Sequence, residues 1–399
     1  MKLIVIAFAA ALVWFLQAIF WNRNWQKGLS ASVSFSEHAV TEGEHVSLKE
    51  TITNNKFLPL PVLHVKFQMG RELVFTESGN SRITDLNYRS DIFSCMPWQE
   101  IRRTLDIHCT KRGYYTIPSV DLVSYDLFQS SRFVTSIPSG AALYVYPGPA
   151  APLRLELPLR NLLGQIMAKQ ALLRDPFEMQ SIRPYQRYDS FRDINWKATA
   201  RTGKMKVNVH APTSSWQVSF LLDTEADSIW KDYSLMEEAI RLCASMSAAL
   251  LKQGIPVALF TNGRDCLSRT PELLNTGAGK EHLRAIMELL SRIIVDDHGS
   301  LSQPVPGRIS GDITDTYPLE EYMESLISRP GSRCEADTTI YVLISTRQQK
   351  RLVQSYSQLC RRSPGSQWIL PHRPGDALQL NDFPRSIQLF QWEVPYDRS

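Results

Sequence analysis

Three patterns of apolar and polar positions follow one another along this chain. From Leu3 to Trp21 the run is apolar except for Gln17. As a helix rising ~1.5 Å per residue it spans about 28 Å, close to one hydrocarbon core. From 28 to 147 the period is two. Leu63, Val65, Phe67 and Met69 alternate with His64, Lys66 and Gln68, and Ile101, Leu105, Ile107 and Cys109 share one parity. Turn signals punctuate the stretch at Glu42-Gly43-Glu44, Asn54-Asn55, Lys111-Arg112-Gly113 and Pro138-Ser139-Gly140. Short strands at such spacing, with no helical period between them, predict a β-sandwich. From Trp216 onward strands and helices alternate, which predicts a parallel sheet with helices on both faces.

The strands of this last region are expected at Val218–Leu222, Ile255–Phe260, Thr339–Ile344, Gln367–Leu370 and Ile387–Trp392. The helices are expected at Ser234–Leu251, Glu281–Ile294, Pro318–Ile327 and Gln348–Arg361. Ser234 and Glu237 read as a capping box, and Pro318 as a first helical residue. The fold class is therefore α+β multidomain: an N-terminal transmembrane helix (1–27 with its flank), a β-sandwich (28–147), a connector (148–214) and a Rossmann-like α/β domain with a C-terminal strand (215–399).

Composition narrows the function classes. Of 399 residues 43% are hydrophobic and 21% charged, ordinary for globular domains, and the net charge of +4 is too small to imply nucleic acid by itself. The six Cys include no C-x-x-C pair, and four of them lie unframed in the second half, which fits a reducing compartment. No small-x-small cleavage site follows the apolar N-terminal run, so an uncleaved anchor is expected. Arg23 and Lys27 behind it slightly outweigh Lys2 before it, which orients the soluble domains toward the cytoplasm. Neither G-x-S-x-G, H-E-x-x-H, a Walker A loop nor G-x-G-x-x-G occurs, and the eight His are dispersed. The chain is expected not to be an enzyme.

The connector holds the densest chemistry. Between Ser181 and His210 there are seven Lys/Arg against two Asp, interleaved with Tyr185, Tyr188, Phe191 and Trp196. Cations beside rings suit single-stranded nucleic acid. The alternative is a buried network in which Arg183, Arg192 and Arg201 pair with Asp189 and Asp193 around a core Trp196. The mixed charges favour that second arrangement, with a protein partner.

Arg183, Tyr185, Asp189, Arg192, Ile194, Trp196, Thr199, Ala200 and Arg201 fall in order on a pattern R-x-Y-x-x-G-D-x-x-R-x-I-x-W-x-x-[ST]-A-R. In this the segment resembles the signature of the domain-of-unknown-function 58 (DUF58) family, departing from it at Tyr188 where the common form has Gly. The resemblance implies a membrane segment, a sandwich and a von Willebrand factor A-like domain. It also implies two partners, a MoxR-type AAA+ ATPase and a transglutaminase-like membrane protein. A von Willebrand factor A domain places D-x-S-x-S after its first strand to hold Mg2+. Here that place reads Asp223-Thr224-Glu225-Ala226-Asp227, with carboxylates for hydroxyls. Weak Mg2+ binding by Asp223, Glu225 and Asp227 is the corresponding expectation. Ligands of open sheets sit beyond the carboxyl ends of the strands, which points to Asp223–Asp227 and Ser345-Thr346. The function expected is that of a membrane-anchored adaptor or chaperone-like protein. The rivals are an accessory subunit of a cell-envelope hydrolase or transferase, and a nucleic-acid-binding protein acting through 181–210.

Overall fold

The computed structural model of the chain describes residues 2–77, 79–126, 129, 131–172, 174–186, 190–212, 216–225, 232–295, 319–328, 338–376, 378 and 383–396. The fold is mixed α/β and divides into two compact units: 1–148 with 265–268 and 287–312, and 149–264 with 269–286 and 313–399.

In the first unit, helix α1 (Lys2–Asn24) is followed by strands β1 (Leu29–Phe35), β2 (Ala39–Thr41), β3 (His45–Asn54), β4 (Leu60–Gly70), β5 (Leu73–Phe75), β6 (Ser81–Ile83), β7 (Leu86–Cys95), β8 (Gln99–Cys109), β9 (Gly113–Tyr125) and β10 (Arg132–Tyr146). Helix α1 is long and apolar enough to cross a membrane, and its large apolar side chains from Ile4 to Phe20 are exposed. Its last turn ends differently. Trp21 and, just beyond, Trp25 are buried in the same core as the strands, with Trp25 stacked on Phe133 at 5.8 Å between ring centres.

The strands form two sheets, in the orders β1-β3-β8-β5 and β2-β10-β9-β4-β7-β6. Neighbours run antiparallel except β2 beside β10. The expected period of two is realised: Leu63, Val65, Phe67 and Met69 of β4 join Leu48, Ile52, Leu105, Ile107 and Leu122 in one core. Cys95 and Cys109 are free and buried, and burial pushes the Cys109 thiol up to about 12.

Charge is enclosed here as well. Asp91 accepts from Arg89 Nε at 2.5 Å and from Arg103 Nη1 at 2.9 Å, with Arg89 stacked over Phe75. Glu50 is buried between Leu48 and Ile52 on the inward face of β3, and neither of its carboxylate oxygens has a hydrogen-bond partner. Burial first, then the charge of Asp91, raises its pKa from the ordinary 4.5 to about 7, against the opposing pull of Arg89 and Arg103. Between those two values the folded chain keeps a proton that the unfolded chain has lost. Stability should therefore fall as pH rises from about 4.5 to 7, by about 3 kcal/mol. Glu50→Gln should flatten that slope and leave the protein more stable than wild type at pH 8. Thermal unfolding of both proteins across this pH range measures it, and parallel profiles would contradict it.

The second unit opens with α2 (Pro152–Leu172), β11 (Arg174–Pro184), α3 (Trp196–Thr202) and β12 (Lys206–Pro212). Next come β13 (Gln217–Leu222), α4 (Tyr233–Lys252) and β14 (Val257–Thr261), then the short β15 (Arg264–Asp265) and β16 (Glu272–Gly277). They are followed by α5 (Lys280–Arg292), β17 (Ile293–Ile294), α6 (Leu319–Ser328), β18 (Thr339–Ile344), α7 (Lys350–Arg362), β19 (Gln367–His372) and β20 (Gln388–Glu393). Of these, Asp265 of β15, the last turns of α5 and β17 belong to the first unit. The main sheet has the order β16-β14-β13-β18-β19-β20. All pairs are parallel except β16, which lies antiparallel on β14. That edge strand carries no apolar run, and the sequence reading passed it over. Strands β13, β18 and β19 are buried almost throughout, as strands covered on both faces must be.

One expected helix start changes. The N-cap of α4 is Asp232, whose Oδ1 accepts from the backbone of Ser234 at 3.1 Å and Leu235 at 3.3 Å. Ser234 is thus already helical and is not the cap; a carboxylate also complements the positive helix end. Burial works against the Asp232 charge, but hydrogen bonds from Arg373 and Ser234 hold its pKa down to about 2. Helix α6 begins at Leu319, while Pro318 lies outside the described residues.

Candidate functional site

The order of the parallel sheet reverses between β13 and β18, and the crevice at such a point lies beyond the strand carboxyl ends. Asp223 follows β13 there and Ser345 follows β18. Asp223 is buried, and every contact on its carboxylate is specific. Oδ1 accepts from Asn262 Nδ2 at 2.8 Å and from the Glu225 backbone at 3.1 Å. Oδ2 accepts from Ser345 Oγ at 2.7 Å and from Arg347 Nε at 2.7 Å. The Ser345 hydroxyl in turn accepts from the Arg347 backbone at 3.0 Å, so the Ser-x-Arg turn fixes its own side chain. Asn262 Oδ1 accepts from the Thr224 backbone at 2.9 Å, which ties the loop after β14 to the loop after β13.

Arg347 is the centre of this arrangement. Besides Asp223, its Nη1 reaches Glu225 Oε2 at 3.0 Å and Glu320 Oε1 at 3.3 Å. Burial opposes the guanidinium charge, but Asp223 and then Glu320 and Glu225 raise its pKa above the ordinary value. Its Nη2 is buried without a hydrogen-bond partner. Sequence reasoning found Asp223, Glu225 and Ser345 but missed Arg347, Asn262 and Glu320. Asp227 lies outside the described residues. The residues present do not fit a divalent cation, because Arg347 is bonded to the oxygens that would ligate one. Among the described residues no three His, Cys, Asp or Glu are placed to hold a metal ion.

The pattern read in the connector forms a second site, and its described residues are not the expected buried network. Strands β11 and β12 pair antiparallel as two arms, and a short turn and α3 lie between them. Ile194 is buried and bridges to Val207. Asn195 caps α3, its side chain accepting from the Ala198 backbone at 2.9 Å and donating to Asn208 Oδ1 at 2.7 Å. Thr199 Oγ1 accepts from the Lys206 backbone at 3.0 Å. Gly203 ends the helix at φ +66°, where a side chain would be strained. These residues hold the scaffold. The others face outward: Phe191 is 70% exposed and Trp196 67% exposed, with Arg192, Ala200 and Arg201 exposed beside them. Tyr185 is half-buried, its ring 5.8 Å from that of Phe191, and Arg183 donates to the Pro184 carbonyl at 3.2 Å. Asp189, like Tyr188, lies outside the described residues. A seven-residue helix has too little inward face to bury Trp196 while Ile194 already fills the contact with β12.

The family described as "Protein of unknown function DUF58" matches residues 181–324, which supports the DUF58 family for this chain. No curated protein matches the chain. Similar solved structures include a CARDB domain from Pyrococcus furiosus, with 12% identity, 30% of this chain and 96% of that one covered, and a TM-score of 0.18. They also include a non-cellulosomal cohesin from Archaeoglobus fulgidus (9%, 29% and 91%, 0.20) and the sporulation control protein of Bacillus subtilis (10%, 40% and 58%, 0.19). Likeness at this level carries no argument about function.

Proposed function

We propose that this chain is a non-enzymatic, membrane-anchored adaptor or chaperone-like protein that docks a MoxR-type AAA+ ATPase through the exposed face of residues 190–206. The α/β unit is then a von Willebrand factor A-like domain, a reading supported by the Asp at the end of its first strand and by the reversal of strand order beside it. The observation that carries the proposal is the combination of rigidity and exposure in the connector. A capped helix and a paired-strand support hold Phe191 and Trp196 in solvent beside Arg192 and Arg201. Aromatic and Arg side chains of this kind dominate protein interfaces. Helix α1 would confine the assembly to the membrane, with both units in the cytoplasm. A C-terminal alkaline phosphatase fusion is accordingly expected to be inactive, and an active fusion would place the units outside.

Trp196→Ala and Arg201→Ala are expected to leave the melting temperature nearly unchanged, since exposed substitutions typically cost within ~0.5 kcal/mol. Each is expected to remove the ATPase from material captured with the full chain out of a detergent extract. Wild type that captures no ATPase would sink the adaptor reading and leave the envelope-accessory one. The same exposed rings and cations also suit single-stranded nucleic acid. In that case affinity falls steeply with salt, with a log–log slope of roughly −0.7 per phosphate contacted.

A further inference from the structure

We infer that Arg347 is a built-in substitute for a divalent cation, so that the site beyond β13 and β18 works without metal. The inference does not rest on the adaptor reading. A carboxylate fully removed from water at the end of a buried strand needs a positive charge and several donors. Asp223 has both from one residue and its neighbours. Arg347 supplies the charge through Nε at 2.7 Å, and Ser345, Asn262 and the Glu225 backbone supply the remaining hydrogen bonds.

The other groups around the guanidinium are also those a hard cation would take. Glu225 and Glu320 present oxygens at 3.0 and 3.3 Å to Nη1, and the Ser345 hydroxyl touches the same Asp223 oxygen as Arg347. Oxygen is the ligand atom that Mg2+ and Mn2+ take. The guanidinium lies among them and excludes a second cation by repulsion and by occupying their lone pairs. Its planar fork explains why one side chain can serve three carboxylates, which the point charge of a lysine would do less well. Glu225, whose side chain is 38% exposed, forms the outer edge of the arrangement.

The test uses the full chain in detergent with Mn2+ alone as the probe, read by water-proton relaxation and by melting temperature. Wild type and Asp223→Asn are expected to give the same relaxation, and chelator is expected to leave the wild-type melting temperature unchanged. Arg347→Ala is expected to lose thermal stability without metal and to regain part of it with Mn2+. Its relaxation should be enhanced, and Asp223→Asn in the same chain should abolish the enhancement. Mn2+ binding by wild type that disappears in Asp223→Asn would overturn the inference. So would an Arg347→Ala protein that is folded and indifferent to Mn2+. Where Arg347→Ala does not fold, the comparison of wild type with Asp223→Asn decides.

Discussion

Arg347→Ala is expected to cost about 3–5 kcal/mol, the penalty typical of removing one partner from a buried ion pair. The loss is at the upper end because one side chain serves several acids. Its removal leaves Asp223 and Glu320 buried without the positive charge that faces them. Arg347→Lys should recover only part of this, because an ammonium cannot reproduce the separate Nε and Nη1 contacts to Asp223, Glu225 and Glu320. Chemical denaturation of the three proteins gives the order directly. A cost below about 1 kcal/mol for Arg347→Ala would mean that water reaches these carboxylates.

Asp91→Ala should be comparably severe in the first unit, again about 3–5 kcal/mol. It strands Arg89, whose side chain is almost fully enclosed and keeps, among the described residues, the Phe75 ring and a 3.4 Å contact to the Glu77 carbonyl. Arg103→Ala should cost far less, since that side chain is 34% exposed and can turn to water. Glu50 gives this variant a distinctive signature. With Asp91 gone, one cause of its raised pKa disappears while Arg89 and Arg103 remain. Glu50 can then ionise and partly replace the missing charge. Asp91→Ala in the Glu50→Gln background should therefore be more damaging than in wild type. An additive pair would show that Glu50 and Asp91 do not share the two arginines.

The two enclosed charge clusters differ in how far the sequence exposes them. In β3 the parity Val46, Leu48, Glu50, Ile52 puts a carboxylate on the inward face, and in β7 the parity Arg89, Asp91, Phe93, Cys95 does the same. Period-two reading, carried through the charged positions as well as the apolar ones, locates that cluster. Arg347 has no such signal. It stands three residues beyond β18, and its acidic partners come from the loop after β13 and from α6. Only the parallel register of β13 with β18, Leu222 opposite Ile344, brings it to Asp223.

The connector shows a different limit. Its density of Arg, Asp and aromatic residues is plain in the sequence, but density fits a buried network and an exposed platform equally. Burial is decided by what lies opposite, and the arms β11 and β12 are separated by too many residues for their pairing to be read locally. The strands of the sandwich and the strand–helix alternation were legible because each element buries a face whose period is its own.

The docking proposal is tested most directly by placing a photo-crosslinking phenylalanine analogue at Phe191 or Trp196 in the full-length, membrane-anchored chain. Illumination in cells is expected to join both positions to an AAA+ ATPase of the MoxR type. The same analogue at Ile92, exposed on the sandwich, is expected to give no such product. Crosslinks to the ATPase from Ile92 and none from 191 or 196 would contradict the account.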